Sequence, residues 1–417
     1  MQFKWHPDEP PPILEEHSKA KLDVLRYYLS AYFDRLNVIF SRDEFKLDLV
    51  DGFSGGGIFR DSDNLVSGTP LIMLEESIKA NDRWNEKRTK PLHFDCKYYF
   101  VDKDAAHTDY LKKVLAERGH KVDNEKILIH NNRFENIADD IIAEIHRRQP
   151  MAGRSIFLLD QTGFSQVELA LVERIFRKLR NAEVILTFAT DSLVNFLVDR
   201  PEIVKAVSPL DMTADNVREW AHLKNGDGGR ALIQRALRPK IRLATGATFD
   251  TPFFIRPIGS RRALWFLHLS RHPIARDVMI QCHWEVSNKF EHYGRGDFGM
   301  LGWEALESKT FPLFHFTGMD AKQMREGLLE SMPEQLFILA SEQPVTIDAI
   351  RHRLANETAA RFLDLDQVIL TLAREREFEI LGPDGKVRSQ KLKHLRSTDR
   401  IAISKQMRLF TGPLYIP

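Results

Sequence analysis

Apolar residues recur at helical spacing from His17 to Leu36, at Leu22, Val24, Leu25, Tyr28, Leu29, Tyr32, Phe33 and Leu36, which predicts an amphipathic helix. The period then shortens. Phe45-Lys46-Leu47-Asp48-Leu49-Val50-Asp51 reads as a strand that runs directly into Gly52-Phe53-Ser54-Gly55-Gly56-Gly57. After a loop of about eleven residues, Gly68-Thr69-Pro70 offers a capping threonine and an early helical proline, opening a helix from Leu71 to about Ala80. Further strands are predicted at Lys97–Val101, Ile127–Ile129, Ser155–Leu159 and Glu183–Phe188. Helical patterns separate them, and this alternation predicts a parallel sheet covered on both faces.

Beyond the fifth strand the pattern turns helical and polar from about Pro201 to Thr248, with a loop at Gly226-Asp227-Gly228-Gly229. Phe253–Arg256 and Ala263–His268 are expected to be a closing strand pair. The last hundred residues read differently. Helices are predicted over Glu334–Ala340, from Val345 with Thr346 as cap, and over Leu365–Ala373. A hairpin then joins Phe378–Leu381 to Lys386–Arg388 through Gly382-Pro383-Asp384-Gly385. Three helices followed by a hairpin is the winged-helix order.

Composition narrows the class. Of 417 residues, 43% are hydrophobic and 29% charged, as in globular chains. No apolar run reaches the ~18 residues that span a bilayer, and Asp8 and Glu9 stand where a secretory signal would carry its apolar stretch. A cytoplasmic protein with no membrane partner is the expectation. The 60 Lys and Arg against 59 Asp and Glu leave no global field for a polyanion, so a nucleic-acid site must come from local clustering. Cys96 and Cys282, the only cysteines, lack metal-ligand spacing. No metal site is expected, and both thiols should be reduced. His268 and His272 lack an evident acidic third ligand and read as solvated or hydrogen-bonded histidines.

Glycines at the carboxyl end of a first strand let backbone approach a nucleoside closely. Here Gly52, Gly55 and Gly57 do not follow the G-x-G-x-x-G spacing, and the loop before the helix is badly placed to seat a pyrophosphate on a helix N-terminus. That favours S-adenosylmethionine (SAM) over NAD, and no Tyr-Lys pair supports an oxidoreductase. The candidate cofactor residues are Asp51, Gly52, Phe53, Ser54, Gly55 and Gly57 in the loop, and Asp102 with Lys103 after the second strand, where a carboxylate can accept both ribose hydroxyls. Asn132, Arg133 and Phe134 follow the third strand, where an adenine edge would be bonded and its face covered. His17 and Lys21, one helical turn apart, are placed to face the loop or a phosphate. The reactive end is expected after the fourth strand, with Asp160, Gln161 and Phe164 as candidate catalytic residues. Amino-group methyltransferases place a carboxylate or amide there to hold the target N–H, and an aromatic to stack the base. This chain lacks the two prolines of that motif, and neither cysteine is placed for cytosine C5 chemistry.

With these residues the chain resembles the three-Cys-motif partner (TcmP) family, bacterial and phage proteins of methyltransferase-like fold. The resemblance rests on His17-Ser18-Lys19-Ala20-Lys21, Asp51 to Gly57, Ser67-Gly68-Thr69-Pro70, Phe100-Val101-Asp102-Lys103-Asp104 and the strand ending at Asp160, over about residues 10 to 295. It departs from the family at Asp160-Gln161, where Asp-Pro is common. The resemblance implies a protein partner with a three-cysteine, radical-SAM-like iron–sulfur motif. The expected fold class is α/β: a Rossmann-like class I methyltransferase domain with a helical insertion, plus a C-terminal winged-helix domain. The expected division is an N-terminal helical segment at 1–44 and a SAM-binding core at 45–200. A helical insertion or lid at 201–250, final strands at 251–300, and a linker with a winged-helix-like domain at 301–417 complete it.

Gln367, Thr371 and Arg374 share a possible face of the last helix, although Glu375, Glu377 and Glu379 lie close by and oppose phosphate. Lys386, Arg388, Lys391, Lys393, Arg396, Arg400, Lys405 and Arg408 make a locally basic segment. The expected function is methyl transfer from SAM to an amino nitrogen of a base in DNA or RNA. The alternative is a non-catalytic, nucleoside-sensing regulator that binds DNA or protein.

Overall fold

The computed structural model describes residues 3–36, 43–86, 88–122, 125–160, 167–188, 194–195, 197–198, 200–210, 212–224, 226, 229–255, 264–286, 292–293, 313–314, 318–388 and 392–404. The chain divides into two compact units, Met1–Tyr293 with Gly302–Phe316, and Gly294–Leu301 with Thr317–Pro417.

In chain order, the first unit holds α1 (Glu16–Leu36), β1 (Glu44–Asp51), β2 (Ile58–Asp61), β3 (Asn64–Ser67), α2 (Thr69–Asn85), β4 (His93–Asp102), α3 (Ala105–Glu117), β5 (Ile127–Asn131), α4 (Phe134–Arg148), β6 (Ser155–Leu159), α5 (Leu169–Lys178) and β7 (Ala182–Phe188). It continues with α6 (Pro201–Val207), α7 (Ala214–Leu223), α8 (Gly229–Thr245), β8 (Phe249–Ile255), β9 (Leu264–Ser270), α9 (Pro273–Glu285), β10 (His292–Tyr293) and β11 (Leu313–Phe314). Seven strands form one sheet in the order β5-β4-β1-β6-β7-β9-β8. Its first five strands run parallel. The β8–β9 pair closes it antiparallel.

Parallel strands joined by helical crossovers are buried on both faces, and the side chains alternate accordingly. Val50, Tyr99, Val101, Phe157, Leu159, Val184 and Leu186 enter a core shared with α4 and α5. Their neighbours Leu49, Phe100, Ile156, Leu158 and Ile185 are buried as well. α1 packs on α2 and α9 through Leu25, Tyr28, Leu29 and Phe33, a stripe at helical spacing. Pro252 stands in β8, an edge strand, the kind of sheet position to which proline is confined.

Three local readings are corrected. The stretch between the glycine turn and α2, expected to be a loop, is the β2–β3 hairpin. Thr69 does not cap α2: Gly68 is the N-cap, without a side-chain cap bond, and the Thr69 hydroxyl donates to Asp51 Oδ2 instead. The third correction lies in the second unit, which holds α10 (Gly318–Ala340), β12 (Val345–Thr346), α11 (Ile347–Leu354), α12 (Phe362–Arg374), β13 (Phe378–Leu381) and β14 (Arg400–Ile403). There the predicted hairpin is present as a short turn, with Gly382 N donating to Lys386 O at 2.8 Å, Arg388 N to Ile380 O at 2.7 Å and a bridge from Leu381 to Val387, but the strand partner of β13 is β14, which the sequence reading did not include. Val387 is 61% exposed whereas Ile401 is fully buried, so only the later segment has an apolar face to give the core.

The second unit thus runs helix, strand, helix, helix, strand, strand, with its sheet in the order β12-β14-β13. Met324, Leu328, Met332, Leu336 and Ala340 form a buried stripe along α10, which begins well before the predicted Glu334 and passes through Pro333. Thr346 caps α11 by accepting from Ala349 N at 3.2 Å.

Candidate functional site

The strand order turns at β1, whose neighbours β4 and β6 carry the chain outward in opposite directions. Such a switch point leaves a crevice at the carboxyl ends of the central strands, because successive crossovers go to opposite sides. Three carboxylates mark this edge: Asp102 ends β4, Asp51 ends β1, and Asp160 directly follows β6.

At each glycine of the loop the space a side chain would need is filled by protein. A Cβ on Gly52 would lie 2.8 Å from Leu159 Cδ2 and 3.0 Å from Phe134 Cγ. Gly55 and Gly57 have φ of +55° and +79°, a region that glycine enters without strain. Side chains on Gly55 or Gly56 would overlap the Trp5 indole, and one on Gly57 would meet Leu111. Ser54 N donates to Val101 O at 2.9 Å and Gly68 N to Gly57 O at 2.8 Å, so the loop is tied to β4 and to the start of α2. The Ser54 hydroxyl is buried and has no hydrogen-bond partner among the described residues.

Asp51 is fully buried. Its Oδ1 accepts from Phe53 N at 3.1 Å and its Oδ2 from the Thr69 hydroxyl. Burial pushes its carboxyl up to about 7 against these bonds, and the charges of Asp160 and Asp102 push the same way. Asp102 behaves oppositely. Burial raises it, but bonds from His107, Asp104 N and Gly55 N outweigh that and hold it below the ordinary carboxylate range. Its Oδ1 accepts from Asp104 N at 2.9 Å and faces His107 Nδ1 at 3.2 Å, while Oδ2 accepts from Gly55 N at 3.0 Å. Asp160 Oδ2 is paired with Lys21 Nζ from α1. Asp160 is 32% exposed and Lys21 13%.

The remaining candidates separate. Lys103, Asn132 and Arg133 are exposed at the edge of β4 and β5. Asn132 N donates to Asp102 O at 3.0 Å, and its side-chain oxygen accepts from Arg133 N at 2.8 Å and Asn136 Nδ2 at 3.0 Å. Phe134 is 1% exposed, beneath Gly52 and beside Phe157, so it supports the loop from the core and presents no face to cover an adenine. Phe53 is half-buried at the loop's start. His17 lies in α1, its side chain outside the described residues, as are Gln161 and Phe164 entirely.

Two residues near the site escaped the sequence reading. Trp5 lies over Gly55 and Gly56, donates Nε1–H to Ile58 O at 2.7 Å, and sets its ring edge-on to His107 at 4.9 Å. His107, in the first turn of α3, carries the one readable signal, an imidazole five residues after a strand-end acid. Away from the site, His268 is joined by Glu183, with Nε2 2.9 Å from Glu183 Oε2, in a buried group that includes the Tyr28 hydroxyl. His272 caps α9, its Nδ1 accepting from Ile274 N at 3.2 Å. Among the described residues no cluster of His, Cys, Asp and Glu is arranged to hold a metal, and no helix is long and apolar enough to cross a membrane. Both cysteines are free and buried, and burial pushes the Cys96 thiol up to about 12.

No family model matches the chain, so the likeness to three-Cys-motif partner proteins rests on its motifs alone. No curated protein matches it either. Among solved structures, a Legionella pneumophila str. Philadelphia 1 protein of the DUF519 family is 9% identical, with TM-score 0.32 over 60% of this chain and 85% of that one. A geranyl diphosphate methyltransferase in complex with GPP and sinefungin is 12% identical, with TM-score 0.23 over 58% and 78%. At TM-scores of 0.32 and 0.23 neither likeness bears weight on the fold or the site. What the chain's own geometry defines is an α/β protein with a mostly parallel sheet and with Asp51, Asp102 and Asp160 at the carboxyl ends of the strands around its switch point.

Proposed function

We propose that the first unit is a SAM-binding, class I methyltransferase-type domain and that it methylates an amino nitrogen of a nucleic-acid base. The observation that carries this reading is the convergence of Asp51, Asp102 and Asp160 around the switch point, with Asp102 tied to the glycine loop through Gly55 N. Asp102, held below the ordinary carboxylate range, keeps a negative charge at this edge that disfavours a pyrophosphate and favours a cation. SAM has no phosphate and carries a sulfonium charge, whereas NAD must place two phosphates near the same loop. The antiparallel closing strands are those expected of a methyltransferase-type sheet.

The residues fit such a group. Asp102 has acceptor capacity left for a ribose hydroxyl, and Asn132 is exposed where the adenine edge would lie. The bound cofactor supplies an electrophilic methyl group on sulfur. Asp160 Oδ1 accepts one N–H of the target amine while Oδ2 stays with Lys21, which orients the nitrogen lone pair for in-line attack. Phe164 stacks a base taken out of its helix. Asp160→Ala is expected to leave S-adenosylhomocysteine binding within about threefold of wild type and to reduce methyl transfer by about 100-fold or more. Transfer of label from methyl-labelled SAM to DNA or RNA reads this, and an unchanged rate removes Asp160 from the reaction.

One observation favours the second reading, a nucleoside sensor without turnover: Asp160 is already engaged by Lys21. SAM binding without transfer to any DNA or RNA would select it.

The order of elements in the second unit supports a winged helix that holds nucleic acid. Between residues 386 and 400 the one acid is Asp399. It is buried and bound by Arg388 and by Arg396 N. Lys386, Lys393, Arg396 and Arg400 are exposed in that segment, whose one carboxylate is turned inward. Replacing Lys393 and Arg396 by glutamate is expected to weaken duplex DNA binding at every sequence and to lower the slope of log K against log salt by about two. Fluorescence anisotropy across a salt series measures the slope; an unchanged slope places DNA elsewhere.

A further inference from the structure

The Asp102 carboxylate is unusually constrained for a group at the edge of a crevice. A carboxylate offers about four lone-pair directions. Asp104 N and His107 take those of Oδ1, and Gly55 N takes one of Oδ2. His107 is itself fixed, because its ring is buried and Trp5 stands edge-on to it at 4.9 Å. Trp5 cannot drift, since its Nε1–H is bonded to Ile58 O and its ring fills the space that Gly55 and Gly56 leave open. Phe59, 5.2 Å from the indole, closes the outer side.

We infer that His107 and Trp5 are positioning residues of the nucleoside site: they lock Asp102 so that one Oδ2 lone pair serves the ribose, and the site therefore reads one ribose hydroxyl rather than both. The inference rests on the nucleoside-binding reading above. A carboxylate free to turn engages the 2′ and 3′ hydroxyls together, one on each oxygen. With Oδ1 saturated by Asp104 N and His107, that bidentate grip is closed. The N-terminal segment, remote in sequence from the glycine loop, thereby becomes part of the binding site.

The test is titration of the full chain with S-adenosylhomocysteine and its 2′-deoxy and 3′-deoxy analogues. In the wild type one analogue should bind within about threefold of the parent, and the other about 10- to 100-fold more weakly, as for a lost hydrogen bond to a charged group. His107→Leu frees Oδ1, and the two analogues should then differ by less than about threefold. His107→Asn, which presents an amide N–H near the position of Nδ1, should restore the contrast. Trp5→Phe, which keeps an aromatic cover but leaves a gap over His107, should give an intermediate contrast. A wild-type protein weakened equally by both deletions overturns the inference. So does a contrast that persists undiminished in His107→Leu, since a merely structural histidine changes all three affinities together. If the parent compound does not bind the wild type at all, the nucleoside reading fails first and takes the inference with it.

Discussion

Trp5→Ala should lower the free energy of unfolding by about 3–5 kcal/mol, the usual cost of emptying a large aromatic site. The indole is buried and packs on Phe3, Phe59 and His107 as well as on the bare backbone of Gly55 and Gly56. Its removal opens a cavity beneath the loop and strands the Ile58 carbonyl, which the indole N–H now satisfies at 2.7 Å. Gly56→Ala approaches the same contact from the other side: any Cβ there overlaps the ring, so the indole must move, at a cost of about 1–3 kcal/mol. Gly119→Ala is the open-space control. Its φ is +77°, where that of Gly56 is not positive, and nothing lies within 4 Å of the added carbon, so only the backbone cost of about 1 kcal/mol remains. Urea denaturation of the three variants measures the order. A Trp5→Ala loss under about 1 kcal/mol would mean the N-terminal segment does not hold the loop.

The second large effect is on pH dependence. Asp51 titrates near 7 in the folded protein against 3.8 for the free side chain, burial being the main cause. The fold therefore prefers its protonated form. The stabilising contribution is complete below about pH 4 and is lost as pH rises through about 7, an interval worth about 4 kcal/mol at most. Asp51→Asn removes the titration while keeping the shape. The difference in stability between wild type and variant should shift by a few kcal/mol from pH 4 to pH 8, with the wild type losing ground at the upper end. Parallel stability curves for the two would show that Asp51 is solvated or paired more strongly than its burial implies.

The strands were legible because a parallel central strand, covered on both faces, has to be apolar at successive positions. Ile156-Phe157-Leu158-Leu159 and Val184-Ile185-Leu186 are apolar at every position, and Asp51, Asp102 and Asp160, which end β1 and β4 and follow β6, stand out against such runs. The long-range partners were not legible, since they come from distant parts of the chain. Lys21 reaches Asp160 across 139 positions and Trp5 reaches Ile58 across 53. Neither carries a periodic signal.

The glycine loop shows the same division. Its turn follows from the residue type alone, yet what each glycine makes room for is a tertiary fact. Gly52 admits Leu159 and Phe134, Gly57 admits Leu111, and Gly55 with Gly56 admits Trp5. Phe134 read as a ligand-facing aromatic because it follows a strand, but position alone does not say which side of a helix start is core. Thr69 was misread for a related reason: a threonine before proline fits a cap, and only the structure brings the Asp51 carboxylate to its hydroxyl. Glu183 and His268 pair because β7 and β9 are neighbours in the sheet, an adjacency that strand patterns do not reveal.

Calorimetric titration of the full chain with SAM, S-adenosylhomocysteine and NAD, repeated with Asp102→Ala, tests the nucleoside site most directly. Micromolar binding of SAM and of S-adenosylhomocysteine is expected, weakened about 10- to 100-fold in the variant, with no heat from NAD. Binding of NAD in preference to SAM, or SAM affinity unchanged by the loss of Asp102, would contradict it.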